Sequence, residues 1–230
     1  AMMLNGEADI SFISRLYTHR EDSIMKISKV PPRFSKVIAN DALVFFAADA
    51  FPTDTISADQ MRLALLGKKT MKSMLPRIKG ETEFAMPNEL SSEFENAKSM
   101  ITENVKFGAR RKYFASYDSV VNFVKANPNA IGVGYFSQIY TTIGVKALSV
   151  SFVDSAGNYV FPHVVHQSNI IQKLYPFVVN HYIYVLDQDN NEAMRFLRYI
   201  RSPKGPSQRH FLEKGIVPAV GEFRLTPLYD

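Results

Sequence analysis

The chain contains no cysteine, which excludes disulfides, thiol nucleophiles and Cys-ligated zinc while leaving either an oxidising or a reducing compartment open. No apolar run approaches the roughly 18 residues that a membrane-spanning helix requires. The opening Ala1-Met2-Met3-Leu4-Asn5-Gly6-Glu7 has no basic stretch ahead of an apolar core, so these residues show no signal peptide. Internal repeats, low-complexity blocks and Gly/Ser linkers are missing. So are a Gly-x-Ser-x-Gly elbow, a Walker loop, a Gly-x-Gly-x-x-Gly fingerprint and a His-Glu-x-x-His pair. The acidic residues are too dispersed to nominate an acid/base pair, and the only suggestive histidine spacing is His163-Val164-Val165-His166. On a strand those two histidines face opposite sides, and only a helix would let them share a metal. A non-enzymatic binding protein with no cofactor and no metal is therefore the expectation.

What is present is a chain of 230 residues, 46% hydrophobic and 21% charged, long enough for one large domain or two lobes with a real core. The net charge of +5 is unevenly spread, because residues 61–125 carry 12 Lys/Arg against 7 Asp/Glu and residues 1–60 carry 6 against 8. Such a field steers anions. Nucleic acid is not expected as a partner: Arg110-Arg111-Lys112 is the one tight basic triplet, and no finger, zipper or aromatic-basic signature accompanies it.

Strand-like and helix-like runs alternate, which predicts an α/β fold with mostly parallel sheets. Strands are expected at 10–14, 37–46, 83–86, 130–136, 145–153 and 176–186. Ser57 with Gln60 forms a capping box that opens a helix, and Gly67 stands where a left-handed stop belongs. Ser92 with Glu95 reads as a second capping box. A helix at 119–126 ends at Asn127-Pro128, because the residue before proline avoids the helical region. Ala193, Met194, Phe196, Leu197 and Ile200 recur at helical spacing. A last helix is expected with Ser202 as cap and Pro203 at its first position, ending at Gly215. Gly132 and Gly134, inside a strand, predict a close approach by a neighbouring helix or a ligand.

The chemistry that remains is a set of hydroxyls at strand ends, which this class of fold places beyond the carboxyl edge of the sheet. Ser14-Arg15 closes the first strand and Ser91-Ser92 opens a helix. Hydroxyls, one guanidinium and the free N–H groups of a helix start can hold a tetrahedral oxyanion. Ser92 is fully explained as a helix cap, and Glu93 and Glu95 in that first turn repel anions, so for Ser91 and Ser92 taken alone structure is favoured over a ligand. Arg15 reads either as part of a site or as half of a surface ion pair.

Gly6-Glu7-Ala8-Asp9-Ile10 followed by Ser14-Arg15 resembles a segment of the phosphate-binding proteins that feed phosphate ABC transporters. The order continues through Asn40–Val44, Ile56–Met61, Leu66-Gly67-Lys68, Asn127–Tyr135, Tyr175-Pro176-Phe177, Phe196–Gly205 and Gly215–Pro218. The resemblance implies a two-lobed periplasmic-binding-protein type II α/β fold, with residues 1–44 and 176–230 in the first lobe and 45–175 in the second. Lobes of this kind close on the anion like a hinge. It further implies an extracytoplasmic or periplasmic protein that captures phosphate or a similar oxyanion with Ser14, Arg15, Ser91 and Ser92 and presents it to an ABC transporter permease.

Two departures accompany the resemblance. The chain starts inside the family's second helix, so an N-terminally truncated first lobe is expected, and its uncovered edges predict a homodimer. The segment Met86-Pro87-Asn88-Glu89-Leu90-Ser91-Ser92 lacks the arginine and the glycines that the family carries there. A non-transport sensor or scaffold that keeps the fold is the alternative.

Overall fold

The computed structural model describes residues 3, 5, 7–29, 34–187 and 189–220. Ala1, Met2, Leu4 and Gly6, quoted above, lie outside the described residues. The chain begins with β1 (Ile10–Ile13), α1 (His19–Ile27), β2 (Phe34–Ala48), β3 (Thr55–Ser57), α2 (Ala58–Leu65) and α3 (Met71–Met74). It continues with β4 (Phe84–Pro87), α4 (Ser92–Ile101), β5 (Arg111–Phe114), α5 (Tyr117–Ala126), β6 (Ile131–Tyr135), α6 (Phe136–Ile139) and β7 (Val145–Ala147). The remainder is β8 (Ser149–Val153), β9 (Tyr159–His163), α7 (Gln167–Ile171), β10 (Val178–Val185), α8 (Asn191–Ile200), α9 (Pro206–Glu213) and β11 (Val217–Pro218).

Two compact units result, one of Ala1–Asn40 with Asn180–Asp230 and the other of Asp41–Val179. The chain passes from one to the other inside β2 and again inside β10. In the first unit β1 runs antiparallel to β10, with Ile10 opposite Val185 and Ile13 opposite Tyr182. β10 neighbours β2, and β11 pairs antiparallel with β2 through Val217 and Asn40. The apolar stripe of α8 supplies Leu197 and Ile200, which cluster with Ile38 and Ile183 of the sheet. Each such side chain, fully buried, stabilises the unit by roughly 1.5–3 kcal/mol.

In the second unit the later half of β2 pairs antiparallel with β6, Leu43 opposite Tyr135, and with β7. β4 runs parallel to both β5 and β6. A smaller sheet joins β3, β8 and β9, parallel in the first pair and antiparallel in the second. Residues 41–48 of β2 are buried without alternation, as expected of a strand covered on both faces.

The α/β class stands, but the sheets are mixed rather than mostly parallel, because β2 and β10 each meet antiparallel partners. The expected single strand at 145–153 is two strands in different sheets, and the change occurs at Leu148, whose N–H donates to Phe45 O while the Ser149 N–H donates to Asp54 O. An apolar run does not reveal which sheet it joins. The α2 box is as expected: Ser57 accepts from the Gln60 N–H at 3.0 Å, Gln60 accepts from the Ser57 N–H at 2.9 Å, and Gly67 has φ +69°.

The cap of α4 is Ser91, not Ser92. Asn88 turns the chain first, accepting from the Leu90 N–H at 2.9 Å through its side chain and from the Ser91 N–H at 3.0 Å through its carbonyl. Glu95 therefore falls one place too late to close a box. The last helix starts at Gly205-Pro206 rather than Ser202-Pro203, since residues 202–205 are spent on a turn closed by the Gly205 N–H and Ser202 O at 2.9 Å. Of the two strand glycines, Gly132 faces the Phe46 ring and Gly134 the Tyr117 ring, so aromatic side chains account for both.

Candidate functional site

Ser14 and Arg15 follow the last paired residue of β1. Because Ile13 lies opposite Tyr182, the next step along the ladder brings Ser14 to His181, and Ser14 Oγ lies 2.7 Å from His181 Nδ1. Arg15 turns toward the start of α1, where its guanidinium forks onto Glu21 with Nη1–Oε2 at 2.7 Å and Nη2–Oε1 at 2.9 Å. Glu21 is also the third residue of α1, and it closes a box with Thr18 by accepting from the Thr18 N–H at 2.7 Å. The Arg15 hydrogen bonds, aided by those from Thr18 and opposed by partial burial, hold the Glu21 carboxyl down at about 2. Glu21 is thus ionised at every physiological pH, and it balances the Arg15 charge. Of the two readings of Arg15, the ion pair is present.

Ser91 and Ser92 belong to the second unit. Ser91 Oγ accepts from the Phe94 N–H at 3.1 Å, which leaves its own O–H as a donor. Ser92 is the first residue of α4. Next to them, Glu93 accepts from Gln138 Nε2 at 3.0 Å, while Gln138 Oε1 accepts from the Tyr135 N–H at 2.7 Å. Asp41 is fully buried in β2, where its carboxylate accepts from the Ala42 N–H at 2.7 Å and the Ser137 N–H at 3.3 Å. Tyr117, at the start of α5, presents a buried hydroxyl that meets no hydrogen-bond partner among the described residues. Burial first, then the charges of Glu93, Asp118 and Asp41, push its phenol well above the usual range. This part of the second unit is therefore acidic, with hydroxyl donors set among carboxylates.

Sequence reading placed Ser14 beside Arg15 and Ser91 beside Ser92, and the structure keeps each pair within one unit. It missed Glu21, His181, Asp41 and Tyr117. Asp41 did carry a signal, a lone carboxylate inside the apolar run Val37–Ala48. His181 and Tyr117 carried none, since only strand register and helix packing bring them to these positions. The two histidines of 163–166 share no helix: His163 ends β9, and His166 caps α7 by accepting from the Ser168 N–H at 3.2 Å. Among the described residues no group of three His, Cys, Asp or Glu is arranged to hold a metal ion, and no helix is long and apolar enough to cross a membrane.

No family model matches the chain, and no curated protein matches it. Solved structures do. A structure with bound phosphate from Clostridium perfringens, described as a phosphate ABC transporter substrate-binding protein, superposes with a TM-score of 0.74 at 17% identity, covering 95% of this chain and 82% of that one. The chain has the type II periplasmic-binding-protein fold. A phosphate-binding protein from Stenotrophomonas maltophilia shares this fold at TM-score 0.68 and 10% identity, over 94% of this chain and 80% of its own. The same type II fold extends to a regulator: the regulatory domain of MetR, a LysR family protein from N. meningitidis, matches at TM-score 0.54 and 13% identity, over 98% of this chain and 79% of its own. Proteins described as phosphate-binding and as a transcriptional regulator's domain alike are therefore built on this architecture, so the fold alone does not fix a role.

Proposed function

We propose that the chain is an extracytoplasmic solute-binding protein that captures phosphate or a similar oxyanion and presents it to an ABC transporter permease. The observation that carries the reading is the likeness, over nearly the whole chain, to a substrate-binding protein holding phosphate. Ser14 and Arg15 are the residues proposed for the first unit, and Ser91 and Ser92 those for the second. All four are donors, and an oxyanion accepts from donors. The basic stretch 61–125 adds long-range attraction for an anion.

A second reading, a sensor or scaffold that keeps the fold without transport, has its own support. Arg15 is engaged by Glu21, and the hydroxyl of Tyr117 sits among carboxylates, both of which weaken attraction for a dianion. Thermal unfolding with millimolar phosphate, sulfate or no anion separates the two. A ligand at a hundred times its Kd stabilises by about 2.7 kcal/mol. For a chain of this size that is a rise of about 5–11 °C. A rise with phosphate supports the transport reading, and an unchanged midpoint with every oxyanion tested supports the second.

A further inference from the structure

We propose that the first unit carries a homodimer interface, in which β1 pairs antiparallel with β1 of a second copy across a two-fold axis and the two copies cover Phe12, Phe196 and Tyr199. The inference is independent of the oxyanion reading above, since it calls on none of the four residues proposed for the anion.

The strand edge is the first observation. Among the described residues β1 pairs only with β10. The Leu186 N–H donates to Asp9 O at 2.9 Å, so residues 9, 11 and 13 turn their backbone toward β10, and the alternate residues Ile10 and Phe12 turn theirs away. The outward N–H and C=O groups of Ile10 and Phe12 thus meet no partner among the described residues. Natural sheet edges are ordinarily blunted by charged side chains, proline or a bulge. β5, the terminal strand in the second unit, carries Arg111 and Lys112, whereas Ile10-Ser11-Phe12-Ile13 has none of these devices.

The second observation is the aromatic surface beside that edge. Phe12 is 54% exposed, Phe196 42% and Tyr199 53%. The rings of Phe12 and Phe196 meet edge to face at 6.2 Å, and with Tyr199 they wall a groove of about 710 Å³ that Pro206 and Arg209 of α9 also line. At about 200 Å² for each aromatic side chain, the three leave about 300 Å² open on each copy. A weak specific interface buries about 600 Å² per partner. These rings therefore supply half of that area, and the strand edge and groove walls supply the rest.

Symmetry selects the occupant. A strand paired antiparallel with itself presents one and the same patch from both sides, as a two-fold dimer requires, and it uses up both edges, so assembly stops at two. Centring the axis on Ser11 sets Ile10 of one copy against Phe12 of the other. In that register every outward N–H and C=O of both residues finds a partner. With the axis normal to the sheet, α8 of each copy lies on the same face, and the two aromatic patches meet.

Sedimentation velocity of the full chain, from micromolar to several hundred micromolar, tests the assignment. The expected result is a concentration-dependent equilibrium of monomer and dimer with a dissociation constant in the micromolar range, as a small interface implies. Phe12→Glu alters an exposed side chain and sets two carboxylates near each other across the axis. It should raise that constant at least tenfold, while circular dichroism shows the fold retained. The register has its own test, because the chain has no cysteine. In Ser11→Cys the two Cα atoms would face each other at about 4.5 Å, within disulfide reach. Mild oxidation should then link two copies severalfold faster than in Ser155→Cys, which alters the exposed turn between β8 and β9. A chain that stays monomeric at every concentration would overturn the proposal and leave the edge to a strand of another protein. A dimer that Phe12→Glu leaves as tight as wild type, or equal linking in the two cysteine variants, would overturn it as well.

Discussion

Replacing Glu21 by glutamine removes one charge while keeping a side chain able to complete the cap of α1. The native carboxylate accepts from Arg15 Nη1 and Nη2, from the Thr18 N–H and, at 3.0 Å, from Thr18 Oγ1. The Arg15 hydrogen bonds lead in lowering its pKa from 4.5 to about 2. Taken whole, that depression corresponds to roughly 3 kcal/mol. Glu21 keeps 34% of its side-chain surface exposed. Screening by solvent therefore reduces the net contribution to about 1–2 kcal/mol. The sign follows from the direction of the shift. A carboxyl whose folded pKa lies below its unfolded value stabilises the fold above the unfolded pKa and loses that contribution as pH falls through the folded one. The wild type should thus exceed Glu21→Gln by a constant margin from pH 8 to pH 5.5, and the margin should fall below half its full size by pH 3. Urea unfolding at pH 7, 5, 4 and 3 reads this directly. A margin as large at pH 3 as at pH 7, or no margin at pH 7, would refute the reasoning.

Three further substitutions probe other parts of the fold. Gly132→Ala places a methyl group against the ring of Phe46, itself fully buried, and should cost about 1–3 kcal/mol in denaturant unfolding, with partial recovery when Phe46→Leu is added. Tyr117→Phe deletes a buried hydroxyl that has no partner among the described residues, so the unfolding midpoint should hold or rise, and a fall of several degrees would show a partner outside them. Gln208→Leu removes the donor to Ile200 O at 2.6 Å, leaving that carbonyl unpaired while Ile38 O keeps the Ala219 N–H at 3.3 Å, and should lower stability by about 1–3 kcal/mol.

The fold was legible where local chemistry and periodicity agreed. Ser57, Gln60 and Gly67 mark both ends of α2 by short-range rules, and the apolar run through Phe45 and Phe46 could only be a buried strand. Errors arose where two adjacent signals competed. Ser91 and Ser92 both qualify as caps, and the turn at Asn88 decides between them; Ser202-Pro203 and Gly205-Pro206 both qualify as helix starts, and the turn closed at Gly205 decides there. Neither decision is visible in a window of a few residues. Of the candidate site, Ser14 and Arg15 could be named from their place after a strand, whereas Glu21 was hidden because its capping role and its ion pair look alike in sequence. Residues recruited through register, such as His181, require the ladder itself.

The most direct test of the oxyanion reading is equilibrium dialysis of the chain against radiolabelled phosphate, alongside Arg15→Ala and Ser14→Ala. Saturable binding of one phosphate per chain, weakened at least severalfold in both variants while their unfolding midpoints show that they remain folded, is the expected result. Retention no greater than that of an unrelated protein, or binding that neither substitution alters, would contradict it.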